Sequence, residues 1–471
     1  MKVLLAGYNL DTDVINELKS QNSQRQDVTP ETLSASYARI SRDPRPIDEL
    51  RKVARSEVEK ARKSNSAIIF KMGHHSIAEH AIFNFDLIGI SRLALEEVEK
   101  FRLCSYTEKS QRYQKLEDDF LVPDEIKGEG EGVSCEGDFV ELIKKQNKFY
   151  HQMIEAGVEP EDARYGTSLA TLGQVGLTVN ARNLEFMLRR FASSSLAEVW
   201  ELGQQMYKLI HEIAPSIILF TQANDYDQKT YREIKGARDW GLGTGEIKLD
   251  VSLVDYTPEG DAKISAALLH CSSNLSYQES LAKAKSMSDE EKKNFIKTCF
   301  QYAEFYDRPP REFEYADLTY ELIISAACFA QLKRHRMATL TVQPYDPKLG
   351  VMIPPGIKKA GLESEFNEII NITNQIFEKV NNVTLLGAQY LLTNAHRRRV
   401  LFKTNVRELY HVSRLREDQH AQWDIQIITS KMCELAKQVM PYTTMFVGGK
   451  DVYPALFEKQ FGRKPKVLPQ Y

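Results

Sequence analysis

Three polar residues between positions 108 and 112 include side chains of the kind that bind anions. Glu108, Ser110 and Arg112 alternate along the chain, so an extended segment would point all three side chains to one side. Arginine offers a planar fork of donors and serine adds another, which together suit a phosphate group. A solvated polar turn after a helix is the simpler interpretation, and these residues alone favour it.

A second, basic cluster lies in the other half of the chain. Lys333, Arg334, His335 and Arg336 stand together within an otherwise largely apolar segment. Such a run suits an anionic cofactor. Cations at the C-terminus of a helix also complement the helix dipole, which is the purely structural alternative.

The two clusters occupy corresponding places in an internal repeat. Ser91 and Ser325 each begin an apolar segment, and they stand eleven residues before Arg102 and Arg336 respectively. Internal repetition of this kind indicates a duplicated unit. We therefore interpret the clusters as one ancestral site divided between two halves of the chain.

A third motif, an asparagine followed two positions later by an arginine, also occurs twice. A further arginine and then a helical segment follow each copy. The residues are Asn180, Arg182 and Arg190 in the first half, and Asn405, Arg407, Arg416 and His420 in the second. Two polar helix starts would give the same pattern, although its repetition makes coincidence less plausible.

A histidine-rich segment invites a metal interpretation that its spacing does not support. His75 and His80 would lie about 140° apart on a helix, unlike the i, i+4 ligands of HExxH. His75 to Glu79 is one residue too long for HxxEH. We therefore predict no metal site. Cys104 has no adjacent base in the sequence, so we predict a buried structural thiol there.

The bulk composition is that of an ordinary soluble globular protein. Of the 471 residues, 42% are hydrophobic and 27% charged. A net charge of −3 gives no bulk attraction to nucleic acid. The six cysteines form no CxxC pair, which indicates reduced thiols. With no signal-peptide pattern and no membrane-length apolar run, we predict a cytoplasmic protein without nucleic acid or membrane partners.

The hydrophobic pattern predicts an α+β fold built twice, each copy a mixed sheet packed with helices. Predicted strands are 2–7, 83–87, 249–256 and 318–324. Predicted helices are 91–102, 180–191 and 196–213, matched by 325–336, 405–415 and 421–440. A glycine-rich stretch places a linker at 236–248, between domains at 1–235 and 249–471.

Taken together, the motifs resemble the flavin-dependent thymidylate synthases. That family's signature is RHR and then E-x-S-x-R-Y, preceded by GH-x-S/T-x-x-EH and followed by A-R, N-x-R-x-L, a late arginine and AQ-x-E-I. The first half matches at Gly73, His74, Ser76, Glu79, His80, Arg102, Glu108, Ser110, Arg112, Tyr113, Ala163, Arg164, Asn180, Arg182, Leu184 and Arg190. The second half matches at Arg334, His335, Arg336, Asn405, Arg407, Leu409, Arg416, His420, Ala421, Gln422, Asp424 and Ile425.

Each half departs from the family pattern where the other half keeps it. In the first half Lys100 and Phe101 replace the first two residues of RHR, and Arg190 requires a one-residue gap, with Arg189 as its rival. In the second half the E-x-S-x-R positions hold Val342, Pro344 and Asp346. The A-R position there is blurred among Arg397, Arg398 and Arg399.

The resemblance implies a nucleotide site in the first half and a flavin site in the second. Substrate-binding residues would be Glu108, Ser110, Arg112, Arg164 and Arg190, with catalytic roles for Arg190 and Ser110. Cofactor-binding residues would be His74, Glu79, Arg334, His335, Arg336, Asn405, Arg407, His411 and His420. The cofactor would be FAD, with NADPH and methylenetetrahydrofolate as cosubstrates.

The implied reaction is the reductive methylation of dUMP to dTMP at composite sites made from the two halves. The cofactor would carry the chemistry, while Arg190 would polarise the uracil ring. The family's homotetramer implies that this chain dimerises into a pseudo-tetramer. A related flavin-dependent enzyme acting on another pyrimidine nucleotide, and a non-catalytic nucleotide-binding paralogue, are the alternatives.

Overall fold

The computed structural model describes residues 1–20, 28–127, 135–236 and 250–468. The elements of the first half are β1 (Lys2–Tyr8), α1 (Thr12–Ser20), α2 (Glu31–Arg39), α3 (Ile47–Ser56), α4 (Val58–Ser66), β2 (Ile82–Ser91), α5 (Arg92–Val98), β3 (Cys104–Glu108), α6 (Asp124–Lys127), α7 (Glu136–Glu155), α8 (Pro160–Ala163), β4 (Leu172–Asn180), α9 (Ala181–Ala192), α10 (Ala197–His211) and α11 (Asp225–Gly236).

The second half follows the same order of strands. Its elements are β5 (Val251–Tyr256), α12 (Gly260–Ser272), α13 (Tyr277–Ser286), α14 (Asp289–Thr298), β6 (Asp317–Ser325), α15 (Ala326–Leu332), β7 (Thr339–Val342), α16 (Pro355–Lys359), α17 (Glu363–Asn381), α18 (Leu385–Gln389), β8 (Arg397–Asn405), α19 (Val406–Arg416), α20 (Trp423–Val439) and α21 (Tyr453–Phe461).

Each half forms a four-stranded sheet, with strand order β1-β2-β4-β3 in one and β5-β6-β8-β7 in the other. The prediction of an α+β fold built twice is confirmed. The prediction of mixed sheets is wrong, because every pair of neighbouring strands is antiparallel. A hydrophobic pattern locates strands, but it does not show in which direction the chain re-enters the sheet.

The strand registers give a residue-by-residue correspondence between the halves. Ser91 pairs with Leu172 as Ser325 pairs with Arg397. On the next strand pair, Glu108 lies opposite Val175, and Val342 lies opposite Val400. Asn180 and Asn405 end the two central strands in the same way. Equivalent positions in the two halves can therefore be compared directly.

The repeated serines cap the helices that follow them. The Ser91 hydroxyl accepts a hydrogen bond from the backbone of Ala94 and donates one to Glu198 at 2.5 Å. Ser325 likewise caps α15 and donates to Asp424 at 2.6 Å. Buried carboxylates thus hold both caps, and the two helices begin within one residue of their predicted starts at 91 and 325.

Both capped helices are shorter than predicted. Helix α5 ends at Val98. The Tyr106 hydroxyl donates to the carbonyl oxygens of Val98 and Phe101, at 2.9 and 3.1 Å, where a longer helix would make backbone hydrogen bonds. Helix α15 ends at Leu332, so Arg334–Arg336 follows the helix instead of closing it. The basic cluster is therefore on a turn that leads into β7, where a helix-dipole role is weaker.

The chain divides into two compact units, and the division differs from the predicted domains in one segment. Residues 1–244 form the first unit together with Gly356–Leu392, and the rest form the second. Helix α17 packs on α7 within the first unit, where Gln146 donates to Thr373 at 2.9 Å. The predicted linker at 236–248 lies, apart from Gly236, outside the described residues. No helix among the described residues is long and apolar enough to cross a membrane.

Candidate functional site

A cavity of about 160 Å³ in the first unit lies beside the end of β3. Glu108 and Ser110 contribute to its wall, as do Arg92 at the start of α5 and Gly173 on β4. A β-bulge at Gly89, with φ of 69°, bends β2 at the same place. Two of the predicted substrate-binding residues therefore line one cavity.

The segment after β3 is a turn, not the extended strand that the alternation suggested. Glu108 is the last residue of β3, and the backbone N–H of Arg112 donates to the Ser110 hydroxyl at 3.2 Å. A serine hydroxyl commonly closes a turn in this way. Ser110 therefore shapes the segment and also lines the cavity.

The predicted phosphate ligands Arg112 and Arg164 meet at one acidic residue. Arg112 forms an ion pair with Glu161 at 2.9 Å, and Arg164 donates from Nε to the Glu161 carbonyl at 3.1 Å. Arg164 is buried, and this burial lowers the pKa of its guanidinium, with the charges of Arg92 and Arg112 lowering it further. A buried group of guanidinium cations is suited to an anionic ligand.

Arg92 was not among the predicted site residues. Its Nη1 lies 3.5 Å from Oε1 of Glu108, and the two side chains are only 3% and 8% exposed. The available signal was a charged residue directly after the capping Ser91, within an apolar run. Arginines are rarely buried unless their charge is paired, so a buried arginine at this position indicates a specific role.

Arg190 pairs with a different acidic residue from the one that Arg112 and Arg164 contact. Its Nη1 is 3.1 Å from Asp227, and Arg189 binds the same carboxylate at 2.5 Å. Helix α9 runs without interruption from its Asn180 cap to Ala192, so no irregularity of the helix marks the one-residue gap assumed for Arg190. Counting from the Asn180 and Asn405 caps, the position of Arg416 is held in the first half by Phe191.

In the second unit, His335 is buried and its protonation state is fixed by its neighbours. Arg416 donates from Nε to Nε2 of His335 at 2.9 Å. Burial lowers the pKa of His335 to about 3, and the charge of Arg416 acts in the same direction. The imidazole is therefore neutral, with its hydrogen on Nδ1, which is 3.4 Å from Glu408.

His411 completes this group of polar side chains. Its ring meets that of His335 edge-on, with centroids 5.6 Å apart. Ligand atoms of His335, Glu408 and His411 lie within 4.8 Å of one another, a spacing compatible with a metal ion. Because Nε2 of His335 accepts from Arg416, Nδ1 carries the hydrogen and has no lone pair for a metal. The group is better suited to an organic ligand.

Five of the predicted cofactor residues are exposed: His74, Arg334, Arg336, His411 and His420. Arg334 and Arg336 flank the buried His335 on the turn after α15. The side chain of His420 is 79% exposed and lies 3.1 Å from Asp418. His74 is exposed in the first unit, next to the 3-10 segment His75–His80. Two guanidinium groups on either side of a buried imidazole form a surface that could contact phosphate groups.

The repeated asparagine–arginine motif has the same structural role in both halves. The asparagine side chain caps the following helix at 3.0 Å for Asn180 and 2.8 Å for Asn405. The arginine binds a glutamate of a 3-10 segment: Arg182 to Glu79 at 2.6 Å and Arg407 to Glu314 at 3.1 Å. These contacts agree with the structural alternative for the motif, and Arg407 also donates to the Pro309 carbonyl at 2.8 Å.

The first half holds an aromatic cluster where the second half holds the histidine group. Phe101 is equivalent to His335, and Phe186 and Phe191 are equivalent to His411 and Arg416. The ring of Phe101 meets those of Phe186 and Phe191 edge-on, at 5.7 and 5.8 Å. The polar groups that could hold a ligand in the second half are thus absent at these three positions of the first.

The second half, in turn, fills the place of the first-half cavity. Arg398 is equivalent to the cavity-lining Gly173. Its guanidinium lies 4.9 Å from the centroid of Phe329 and 4.2 Å from that of Tyr345, and its Nε donates to the Gln343 carbonyl at 2.7 Å. This large side chain occupies the space that glycine leaves open in the first half.

The A-R position of the second half is resolved by the same register. The carbonyl of Thr171 accepts from the backbone N–H of Arg92, and the carbonyl of His396 accepts in the same way from Ala326, so Thr171 and His396 are equivalent. Arg164 precedes Thr171 by as many residues as Gln389 precedes His396, which places Gln389 at the position of Arg164. Arg397 and Arg399 instead bind Asp250 and Glu321 at 3.2 Å each. None of the three consecutive arginines is the equivalent of Arg164.

Comparison with known proteins agrees with the two-copy architecture. The family described as "Thymidylate synthase complementing protein" (Thy1) matches residues 25–216 and again residues 252–442. The chain belongs to this family, the flavin-dependent thymidylate synthases, as a tandem of two copies. The sequence-based assignment to the family is confirmed.

Curated relatives align either with one copy or with both. A flavin-dependent thymidylate synthase of Pyrococcus abyssi is 31% identical over 159 residues, which are 32% of this chain and 62% of that protein. One from Geobacter sulfurreducens is 31% identical over 193 residues, 40% of this chain and 80% of its own length. A "UPF0159 protein" of Chlamydia muridarum is 23% identical over 424 residues, 82% of this chain and 80% of its own length.

Among solved structures, the flavin-dependent thymidylate synthase ThyX of Helicobacter pylori, complexed with FAD and dUMP, is similar to 47% of this chain. All of that chain is covered, with 18% identity and a TM-score of 0.33.

The second-half group of Arg334, His335 and Arg336 has the chemistry that a flavin site requires. Nδ1 of His335 is buried and makes no hydrogen bond among the described residues. Arg334 and Arg336 are exposed beside it. A buried polar atom with an unmet hydrogen bond, next to two cations, fits a ligand with polar ring atoms and phosphates.

Proposed function

We propose that this protein is a flavin-dependent enzyme that methylates dUMP to dTMP, with methylenetetrahydrofolate and NADPH as cosubstrates. The first half would bind the nucleotide and the second half would bind FAD. The observation that carries the proposal is reciprocal: Arg398 fills the second-half counterpart of the nucleotide cavity, and Phe101 stands in the first half where His335 stands in the second. Each half retains what the other has lost.

The nucleotide would bind with its phosphate at the Arg112–Glu161–Arg164 group. These arginines are already held in place by Glu161 at 2.9 and 3.1 Å, so little side-chain entropy is lost when an anion binds. Ser110 and Glu108 would contact the nucleoside from the cavity wall. Excluding water from this buried site strengthens each charge–charge contact.

Arg190 remains our candidate for polarising the uracil ring. Its side chain is 32% exposed and pairs with Asp227, which also holds Arg189. Since Arg189 can retain the carboxylate alone, Arg190 could leave Asp227 and donate to a pyrimidine oxygen. A fixed cation near that oxygen stabilises the negative charge that develops when C5 attacks an electrophilic carbon.

On the flavin side, Arg334, Arg336 and His335 would hold the cofactor. When bound, FAD would supply the two reducing electrons that methyl transfer to C5 requires. His335 would keep its neutral tautomer because Arg416 donates to Nε2, so its Nδ1–H would serve as a hydrogen-bond donor. Arg334 and Arg336 would contribute positive charge to the phosphate groups.

We also propose that the chain forms a homodimer equivalent to the four-domain assembly expected for the family, with nucleotide and flavin residues from different halves acting in one reaction. The repeat supports this because it supplies two family domains per chain. The second candidate function, a related enzyme for another pyrimidine nucleotide, is favoured by Lys100 and Phe101 in the first half and Asp346 in the second, which rearrange charge at the family's site positions.

The experiment is anaerobic conversion of dUMP by purified protein with FAD, NADPH and methylenetetrahydrofolate, followed by chromatography for dTMP. UMP is assayed in parallel as the matched alternative substrate. A dTMP peak that requires all three additions supports the proposal. A protein that binds flavin but forms product only from UMP would support the second candidate function instead. A protein that stays colourless with FAD would exclude both candidate functions.

A further inference from the structure

Arg92 is placed where an arginine is energetically unfavourable. It is the first residue of α5, next to the positive end of the helix dipole, and its side chain is only 3% exposed. Burying a guanidinium in a protein interior is unfavourable unless a neighbouring group compensates its charge. The ion pair with Glu108 at 3.5 Å provides compensation and directs the guanidinium toward the cavity wall.

The fold itself does not require an arginine at this position. In the second half the equivalent residue is Ala326, which is fully buried and follows the capping Ser325 in the same way. Both backbone N–H groups donate to the equivalent loop, Arg92 to Thr171 at 2.9 Å and Ala326 to His396 at 3.0 Å. The same strand, cap and helix are thus built with and without the long cationic side chain.

Both members of the ion pair are replaced together. The second half has Ala326 for Arg92 and Val342 for Glu108. In that half, Arg398 fills the place of the cavity. The pair is therefore present in the half with an open cavity and absent from the half without one, which is the pattern of a pair that serves the cavity.

We infer that Arg92 is a positioning residue of the nucleotide pocket: it holds the Glu108 carboxylate in the wall, where Glu108 accepts a hydrogen bond from an O–H or N–H group of the bound pyrimidine nucleoside. This inference rests on the proposed nucleotide site. Arg92 acts through Glu108, while Arg112 and Arg164 take the phosphate. Fixing the carboxylate in advance reduces the entropy lost on binding.

The test is a double-mutant cycle on the affinity of the full-length protein for dUMP, measured by calorimetry. The variants are Arg92→Met, Glu108→Gln and the double variant, with Arg42→Met, an exposed arginine of the first unit, as the matched control. We expect about a tenfold weaker affinity for Arg92→Met and at least that for Glu108→Gln. The double variant should bind as Glu108→Gln does, within about twofold, since the effect of Arg92 on the ligand runs mainly through Glu108.

Losses that multiply in the double variant would overturn the inference, as would unchanged affinity in Arg92→Met. A thermal unfolding curve for each variant separates loss of fold from loss of binding. Should Arg92→Met not fold, Arg92→Lys keeps the charge and must lose affinity in the wild-type background but not in the Glu108→Gln background. If the wild-type protein binds no dUMP, the proposed function fails; if it binds and the losses multiply, only the role of Arg92 fails.

Discussion

His335 and His411 meet edge-on in the second half, with ring centroids 5.6 Å apart. The first half repeats this geometry with Phe101 and Phe186 at 5.7 Å. The same packing arrangement is therefore built once from polar rings, with Arg416 donating to one of them, and once from apolar rings. Duplication preserved the backbone and the ring geometry while the chemistry of the two copies separated.

The first prediction concerns the filled cavity of the second half. Arg398→Ala should lower the free energy of unfolding by about 2–4 kcal/mol, because it removes contacts with two aromatic rings and a charged hydrogen bond. It should not create a second nucleotide site, since Val342, Pro344 and Asp346 stand where Glu108, Ser110 and Arg112 stand in the first half. Chemical denaturation and calorimetric stoichiometry measure the two effects.

Arg399→Ala is the matched control, because its ion pair with Glu321 is partly exposed, with 19% of the Arg399 side chain and 47% of the Glu321 side chain accessible. It should cost less than about 1 kcal/mol. Two dUMP molecules per chain in Arg398→Ala would show that the arginine side chain alone closes a competent site.

The second prediction separates the adjacent arginines of α9. Arg190→Ala should reduce kcat about 10²- to 10³-fold with little change in dUMP affinity, because polarisation of the ring matters mainly in the transition state. Arg189→Ala should lower kcat much less, by about three- to tenfold, because Asp227 then pairs with Arg190 alone and competes with the uracil for it. Steady-state kinetics of both variants decide the assignment, and the reverse ranking would give the role to Arg189.

The third prediction concerns pH and the buried His335. Its pKa is about 3 in the folded protein and its ordinary value is 6.5. Between these values the unfolded chain binds the additional proton, so the free energy of unfolding falls as pH decreases from 6.5 toward 3, by up to about 1.4 kcal/mol per pH unit. Urea denaturation at pH 7 and pH 5 measures this slope.

His335→Phe, which copies the first-half residue Phe101, should reduce that slope. His396 is also buried with its pKa lowered to about 3, so it contributes to the slope of both proteins and the difference isolates His335. Equal slopes in the variant and the wild type would contradict a buried neutral imidazole at this position.

Much of the fold could be predicted because its signals are local. The apolar alternation of Phe83, Phe85 and Leu87 fixed a strand, and the serine caps fixed two helix starts. Helix ends were predicted too late, because Tyr106 ends α5 by a contact from the following strand. Local periodicity also did not show that α17 packs on α7 in the first compact unit, since that contact joins distant segments.

The residues of the candidate site also fall into those that the sequence predicts and those that only the structure shows. Glu108, Ser110, Arg112 and Arg164 were predicted from the family resemblance; the first two line the cavity, and the two arginines both contact Glu161. Arg92 was missed because a helix-start arginine carries no motif, and only its burial shows that it is unusual. The role of Arg190 stays a prediction, because counting from the Asn180 and Asn405 caps places Phe191, and not Arg190, at the position of Arg416.

The central claim is that one half binds the nucleotide and the other binds the flavin, and the direct test is the stoichiometry of both ligands in three proteins. Wild-type chains should bind one dUMP and one FAD each, measured by calorimetry and by the visible absorbance of bound flavin. Arg112→Ala should weaken dUMP binding about 10- to 100-fold and keep FAD, because a charged hydrogen-bonding partner of the phosphate is removed. His335→Phe should lose FAD and keep dUMP. Two molecules of either ligand per wild-type chain, or loss of both ligands in either variant, would contradict the division.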